Sequence, residues 1–307
     1  MIFLGVDGGG TSTRALVTDE SGAVLGRGKA GPSNPLAVGW EPAVAAIVAA
    51  VSATRISLPV DAAFFGLAGV GREPGKSRMV AALTEARLAR RFDVGIDAEI
   101  ALAGAHGGEP GGIVCAGTGA IAVARGTDGI LHRADGWGHL LGDEGSGYWI
   151  GREAMRLVCG LEDGRVVGLI QVGHAKSTLF RDAVLAHFGV ESVQALVTRV
   201  YDTPLSPAEI AALAPVVGAC AKAGDAIAEV TLVRAAGDLA RSARAVLLAA
   251  DLRQGPLSYT GGVFRLGRAI LTPFKQRLRA MLPGIVIRAP RMSPVEGAAL
   301  LARTLVP

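Results

Sequence analysis

The sequence predicts an α/β chain of two layered domains, and three observations carry that prediction. Strand-like runs alternate with helical ones along the whole chain. A unit of three strands, with a small-residue loop after the first and a tight turn after the second, occurs twice, at Ile2–Gly28 and Gly111–Gly136. The length of 307 residues suits one large or two medium domains.

The opening alternates apolar and polar residues over Ile2–Asp7, Thr13–Asp19 and Ala23–Gly28, with Glu20-Ser21-Gly22 as the turn between the last two. The glycine loop at residues 8–11 therefore joins two strands as a hairpin. Helix follows over Glu41–Arg55, strand over Ala62–Val70, and helix again over Gly75–Arg91. In that last stretch "EARLARRF" reads as the polar face of the helix. A strand over Phe92–Asp97 leads into a helix over Ala98–His106. The second unit repeats the opening, with Gly117-Thr118-Gly119 as its loop and Asp128-Gly129 as its turn. Helices are expected over Gly145–Gly160 and His174–Gly189, and two or more over Ser206–Leu252. Gly255–Arg265 holds a strand ending in glycines, Gly284–Pro290 a last strand, and Ser293–Val306 a closing helix with Ser293 as N-cap and Glu296 in its first turn. The division expected is a first domain over residues 1–104 and a second over 105–307, with the closing helix 294–307 packing back on the first.

Composition removes several function classes. The longest apolar run, Ala43–Val51, is far shorter than the ~20 residues a membrane span needs. The first ten residues show no basic region and no cleavage-type apolar segment, so no signal peptide is expected. Cys115, Cys159 and Cys220 stand at no metal-like spacing and read as reduced thiols of a cytoplasmic protein. His106, His132, His174 and His187 are scattered without ligand spacing. A net charge of +4 without aromatic-interleaved basic clusters gives no nucleic-acid footprint.

Two glycine-rich stretches imitate nucleotide motifs and fail on spacing. Gly69–Ser77 would be a P-loop only with glycine where Val70 stands, so it reads as a turn and helix start. Gly117–Ala122 fits the relaxed dinucleotide fingerprint, but strand follows it rather than helix. Three small-residue loops remain: Gly8-Gly9-Gly10-Thr11, Gly117-Thr118-Gly119 and Gly261-Gly262. Singly each is an ordinary turn; together, in a duplicated fold, they suit a polyphosphate held by converging backbone N–H groups. Asp7, just before the first loop, suits Mg²⁺, which takes few protein ligands. Asp97, between strand and helix, serves equally as a helix N-cap or as a general base for a substrate hydroxyl.

The string "GWGHLLGDEGSGYWIGREA" (Gly136–Ala154), with "GVDGGGTSTRA" and "CAGTGAIA", resembles the N-acetylglucosamine kinase family, the BadF/BadG-type ATPases of the actin-like sugar-kinase superfamily. The resemblance runs from Ile2 to about Leu301. It implies a duplicated actin-like (ribonuclease H-like) ATPase fold with two domains around an ATP cleft, and a homodimer. It also implies that Gly9, Gly10 and Thr11 contact phosphate from one domain, Thr118 and Gly119 from the other, and that Gly261 and Gly262 form the adenosine-side loop. Asp97 matches the catalytic base, which decides between its two readings. Asn34 matches a sugar-contacting asparagine, and Gly136, Trp137, Gly138 and Asp143 match residues lining the sugar pocket. The implied reaction is Mg·ATP-dependent phosphorylation of the 6-hydroxyl of an amino sugar. N-acetylglucosamine is the first candidate, with glucosamine, N-acetylmuramic acid and glucose behind it. Ala120-Ile121 replace the Ser-Asn pair that touches sugar in animal relatives, which keeps the sugar open. The rival from another class is an ATP-hydrolysing dehydratase or reductase activator, which holds an iron–sulfur cluster through paired cysteines. Tyr148 and Trp149 read as packing residues of the helix after the motif.

Overall fold

A computed structural model describes residues 1–166 and 177–306. In chain order the first elements are β1 (Phe3–Gly8), β2 (Thr13–Thr18), β3 (Val24–Ala30), α1 (Pro35–Val38), α2 (Trp40–Ser52), β4 (Val60–Leu67), α3 (Gly75–Ala86), β5 (Ala89–Gly95) and α4 (Asp97–His106). The second strand set is β6 (Gly111–Ala116), β7 (Ala120–Arg125) and β8 (Leu131–Asp135). Helices α5 (Gly147–Glu162), α6 (Ser177–His187), α7 (Val193–Asp202), α8 (Pro207–Ala211), α9 (Ala214–Lys222) and α10 (Ala226–Ala249) follow. Then come β9 (Pro256–Thr260), a 3-10 turn (Val263–Leu266), α11 (Arg268–Met281), β10 (Val286–Ile287) and α12 (Pro294–Arg303).

The chain forms two compact units. One comprises Met1–Ile113, Arg125–Leu131 and Ala289–Pro307; the other comprises Val114–Ala124 and His132–Arg288.

The first unit is built on a five-stranded sheet in the order β3-β2-β1-β4-β5. β1 pairs antiparallel with β2 and parallel with β4, and β4 pairs parallel with β5. Alternation along β4 loads both faces: Ala63, Phe65 and Leu67 join a core with Ile47 of α2 and Met79 and Leu83 of α3. Ala62 and Phe64 point the other way, against Ile100 of α4 and Ala298 of α12. α12 approaches β1 and α4 across glycines. A Cβ on Gly5 would stand 2.3 Å from the Ala299 nitrogen, and one on Gly297 2.1 Å from the Ile100 carbonyl oxygen. Its start is fixed by a capping box, in which the Glu296 carboxylate accepts from both the nitrogen and the Oγ of Ser293.

The second unit carries a sheet in the order β10-β9-β6-β7-β8. Its helices bury Trp149, Ile150, Phe180, Leu232, Leu239 and Phe274 in one large core. Read from the other edge, this order is β8-β7-β6-β9-β10, strand for strand the order of the first sheet. The repeated three-strand unit of the sequence is thus the shared first half of two sheets of like topology.

One expected element is corrected. The helix foreseen over Gly75–Arg91 ends at Ala86, where Arg87 takes the left-handed conformation (φ 48°) as C-cap. Ala89–Arg91 instead open β5, the edge strand, with Arg90 and Arg91 exposed. "EARLARRF" is therefore a helix end, a cap and an edge strand. Charged residues on an edge strand discourage sheet-to-sheet pairing. α6 begins at Ser177 in the structure, and His174, where the sequence starts that helix, lies outside the described residues.

Candidate active site

The sequence-predicted residues fall into two groups, each assembled within its own unit. In the first unit the β1–β2 register sets Asp7 opposite Arg14. The Asp7 carboxylate is part-buried at the carboxyl end of β1, and its ion-pair partner among the described residues is the Arg14 Nη1 at 3.8 Å. Burial, and then the charge of Asp97, push the Asp7 carboxyl up to about 6, while Arg14 opposes them. The hairpin after it closes through a hydrogen bond from the Gly9 nitrogen to the Ser12 carbonyl at 3.1 Å. Gly8 is a strand residue held by contact: a Cβ there would meet Ser33 Oγ at 2.4 Å and Leu67 Cδ2 at 2.5 Å. A Cβ on Gly10 would meet nothing within 4 Å. The loop is further tied by donation from the Ser33 nitrogen to the Gly9 carbonyl at 3.0 Å.

Asp97 is the first residue of α4, with Ile96 in the N-cap position. Asp97 is therefore not the cap residue; its Oδ1 accepts from the adjacent Ala98 nitrogen, at 2.9 Å. The surrounding protein raises its carboxyl above the ordinary range, against the backbone amides of Ala98 and Asp97 itself. Its surface nonetheless stays open to water, which moderates that shift. Glu99, two residues on, pairs with Arg125 at 2.6 Å. Asn34 is the N-cap of α1, its Oδ1 accepting from the Leu36 nitrogen at 3.0 Å. That oxygen sits against Gly69 (φ +81°), where a Cβ would be 2.2 Å away.

In the second unit the Gly117–Gly119 loop and the glycine-rich motif meet. The Gly147 and Tyr148 nitrogens donate to the Gly117 and Thr118 carbonyls at 2.8 and 3.1 Å. The Asp143 carboxylate lies against Gly119, where a Cβ would stand 2.6 Å from Oδ2. Burial and the charge of Asp135 raise the Asp143 carboxyl, while the amides of Ala120 and Gly138 and the charge of His139 hold it down. Gly136 (φ +71°) rests on the Ile121 side chain, where a Cβ would be 2.8 Å from Cδ1. Trp137 is 55% exposed and lies under the Arg133 guanidinium, 4.5 Å from its ring centroid. Gly261 (φ +109°) approaches the Ala116 carbonyl, where a Cβ would be 2.2 Å away, so β9 ends against the strand that feeds the Gly117 loop. Gly262 starts the 3-10 turn in right-handed conformation.

Sequence reasoning missed Asp135. Its carboxylate accepts from the nitrogens of Gly136 (2.8 Å), Asp143 (2.6 Å) and Glu144 (2.8 Å), which folds the whole motif loop around one side chain. The available signal was an aspartate ending a strand directly before a glycine, which is weak alone. Trp149 is core, as expected, and Tyr148 stacks edge-on against His139 at 4.8 Å. The pattern of the BadF/BadG/BcrA/BcrD ATPase family matches residues 4–302.

The chain belongs to the BadF/BadG/BcrA/BcrD ATPase family.

Relatives agree over nearly the full length. The N-acetyl-D-glucosamine kinase of Dictyostelium discoideum is 32% identical, covering 98% of this chain and 97% of its own. The N-acetylmuramic acid/N-acetylglucosamine kinase of Clostridium acetobutylicum is 30% identical, covering 98% of each. A crystal structure from Chromobacterium violaceum, provisionally described as an N-acetylglucosamine kinase, superposes with a TM-score of 0.75 at 30% identity over 98% of each chain. The two sheets of like strand order are the duplicated actin-like fold implied by the resemblance to this family.

Proposed function

We propose that the chain is an ATP-dependent kinase that phosphorylates the 6-hydroxyl of an amino sugar. The observation that carries this reading is Asp97: a carboxylate of raised pKa, open to water, free of any cationic partner among the described residues. A general base works best when its pKa approaches the working pH. The names of the full-length relatives support an amino sugar as acceptor.

In this mechanism Asp97 accepts the proton of the sugar hydroxyl as that oxygen attacks the γ-phosphorus. The new O–P bond forms as the bond to the β,γ-bridging oxygen breaks, and ADP leaves with the electron pair. Such transfers are catalysed mainly by positioning and charge stabilisation. Gly8, Gly9, Gly10 and Thr11 are assigned to the phosphates, as are Gly117, Thr118 and Gly119, and Gly261 and Gly262 to the adenosine side. Asn34, Gly136, Trp137, Gly138 and Asp143 are assigned to the sugar. Ile121, packed on Gly136, offers the sugar an apolar surface rather than an amide.

Asp7 fits Mg²⁺. It is a part-buried oxygen donor whose carboxyl is pushed up by burial and by the charge of Asp97, with Arg14 at 3.8 Å as its one ion-pair partner among the described residues. Asp7 would hold the ion, which would supply positive charge beside the phosphates. The reading of the cysteines as reduced thiols supports the cytoplasm as the protein's place, and analogy with the family supports a homodimer. Among the described residues no helix is long and apolar enough to cross a membrane.

The activator reading receives no support from the cysteines: Cys115 lies in β6, Cys159 in α5 and Cys220 in α9, on three separate elements and in no disulfide. The test is ADP release with Mg·ATP across N-acetylglucosamine, glucosamine, N-acetylmuramic acid, glucose and no sugar. N-acetylglucosamine is expected to give the fastest turnover. Equal hydrolysis in all five reactions would overturn the kinase reading.

A further inference from the structure

On the second unit, three helices and the end of the motif loop line an open-mouthed cavity of about 410 Å³. α5 contributes Trp149, Arg152, Glu153 and Arg156, α10 contributes Arg234, Gly237, Asp238 and Arg241, and α11 contributes Arg277. Five guanidinium groups face three carboxylates, Glu144, Glu153 and Asp238, leaving an excess of two positive charges.

One buried carboxylate organises the arrangement, while Arg156, Arg234, Arg241 and Arg277 stay exposed at its mouth. Glu153 is only 5% exposed, and its carboxylate is shared by Arg156 at 2.7 Å, Arg234 at 3.5 Å and Arg152 at 3.7 Å. One carboxylate cannot satisfy three guanidinium forks. The Nε of Arg152 is buried without a hydrogen-bond partner, and Arg277 has no ion-pair partner among the described residues. Arg241 is held by Asp238 one helical turn back. The aromatic wall helps fix the donors: Arg234 lies 5.4 Å from the Trp149 ring centroid. The cavity also has a glycine in its lining. Gly237 sits inside the 24-residue α10, where glycine costs helix stability. A Cβ there would meet only Arg241 Nη1 at an ordinary 3.7 Å. Packing does not demand glycine at this position.

We infer that this cavity is a second ligand site, taking the dianionic phosphate of a small phosphomonoester. Arginine forks match phosphate oxygens bidentately, and the excess of two charges matches a dianion. Glu153 acts as the internal place-holder that keeps the guanidinium groups gathered when the ligand is absent. The volume admits a phosphorylated hexose as readily as free phosphate. Glu144 lines the cavity and directly follows Asp143, so this site and the sugar motif share one loop.

The experiment is calorimetric titration of the full chain with glucosamine 6-phosphate, inorganic phosphate and unphosphorylated glucosamine, with and without a saturating non-hydrolysable ATP analogue. Saturable one-site binding of glucosamine 6-phosphate, at least as tight as phosphate and unaffected by the analogue, is expected. Arg277→Glu and Arg241→Ala should each weaken it about tenfold or more, the value of one charge-assisted contact. Glu153→Gln, which removes the competing carboxylate, should tighten it; Arg277→Glu and Arg241→Ala should melt as the wild type does. No binding at millimolar concentration, binding of inorganic phosphate alone, displacement by the ATP analogue, or indifference to all three substitutions would each overturn the inference.

Discussion

At the scale of single residues, the account turns on carboxylates held without enough counter-charge. Asp7 is the clearest. Its folded-state carboxyl at about 6 stands above the ordinary 3.8, so the folded metal-free protein binds its proton more tightly than the unfolded chain does. The resulting cost grows between those two values and is full above about 6; one pKa unit corresponds to ~1.4 kcal/mol. Asp7→Asn should therefore raise the Tm of the metal-free protein at pH 7.5, with the advantage vanishing near pH 4. Added Mg²⁺ should stabilise the wild type and not the variant, because only a ligand of the folded state shifts the melt. Thermal melts at both pH values decide it, and a variant no more stable than wild type at pH 7.5 would refute the reading of Asp7. Asp135 makes the complementary prediction. It accepts three backbone N–H groups of the motif loop, and hydrogen bonds to a charged acceptor are worth ~1.5–3 kcal/mol each. Asp135→Asn is expected to raise the sugar KM at least tenfold while the ATP KM holds, read from initial rates.

At the scale of elements, glycine and arginine placement separates what was readable from what was not. The hairpin at Gly8–Thr11 was legible because a glycine run between two alternating stretches has few other structures available. The end of α3 was not. Arg87, Arg90 and Arg91 look like one solvated helical face until the left-handed Arg87 breaks it and β5 takes the remainder into the sheet edge. Asp135 was illegible for another reason: the amides it gathers lie up to nine residues on, and they converge only after the loop has folded. The arginine cavity is further still from the sequence, since it joins residues from Glu144 to Arg277 across three helices. Gly237 carries a test here. With no contact closer than 3.7 Å at its Cβ position, Gly237→Ala should stabilise α10 by about 0.5–1 kcal/mol in thermal or denaturant unfolding. A destabilised variant would mean that the helix needs the glycine for packing.

At the scale of the whole molecule, the duplication was the most legible feature and the most informative. Two loops of similar chemistry at equivalent points of two repeats pointed to sheets of like strand order, which the topology realises. The family motifs single out residues that composition leaves ambiguous: of the two readings of Asp97, the cap loses its support with Ile96 at the cap position, and the base is the one proposed. The sugar itself is the least legible part, since Ala120 and Ile121 present apolar side chains where animal relatives have polar ones. The central claim, that Asp97 takes the proton of the sugar hydroxyl, is tested most directly by kcat of Asp97→Asn with the best sugar and Mg·ATP, alongside calorimetric ATP binding. The account predicts a fall of about a hundredfold or more, the usual contribution of a general base, with ATP affinity unchanged. A variant that turns over within a few-fold of the wild type would contradict it.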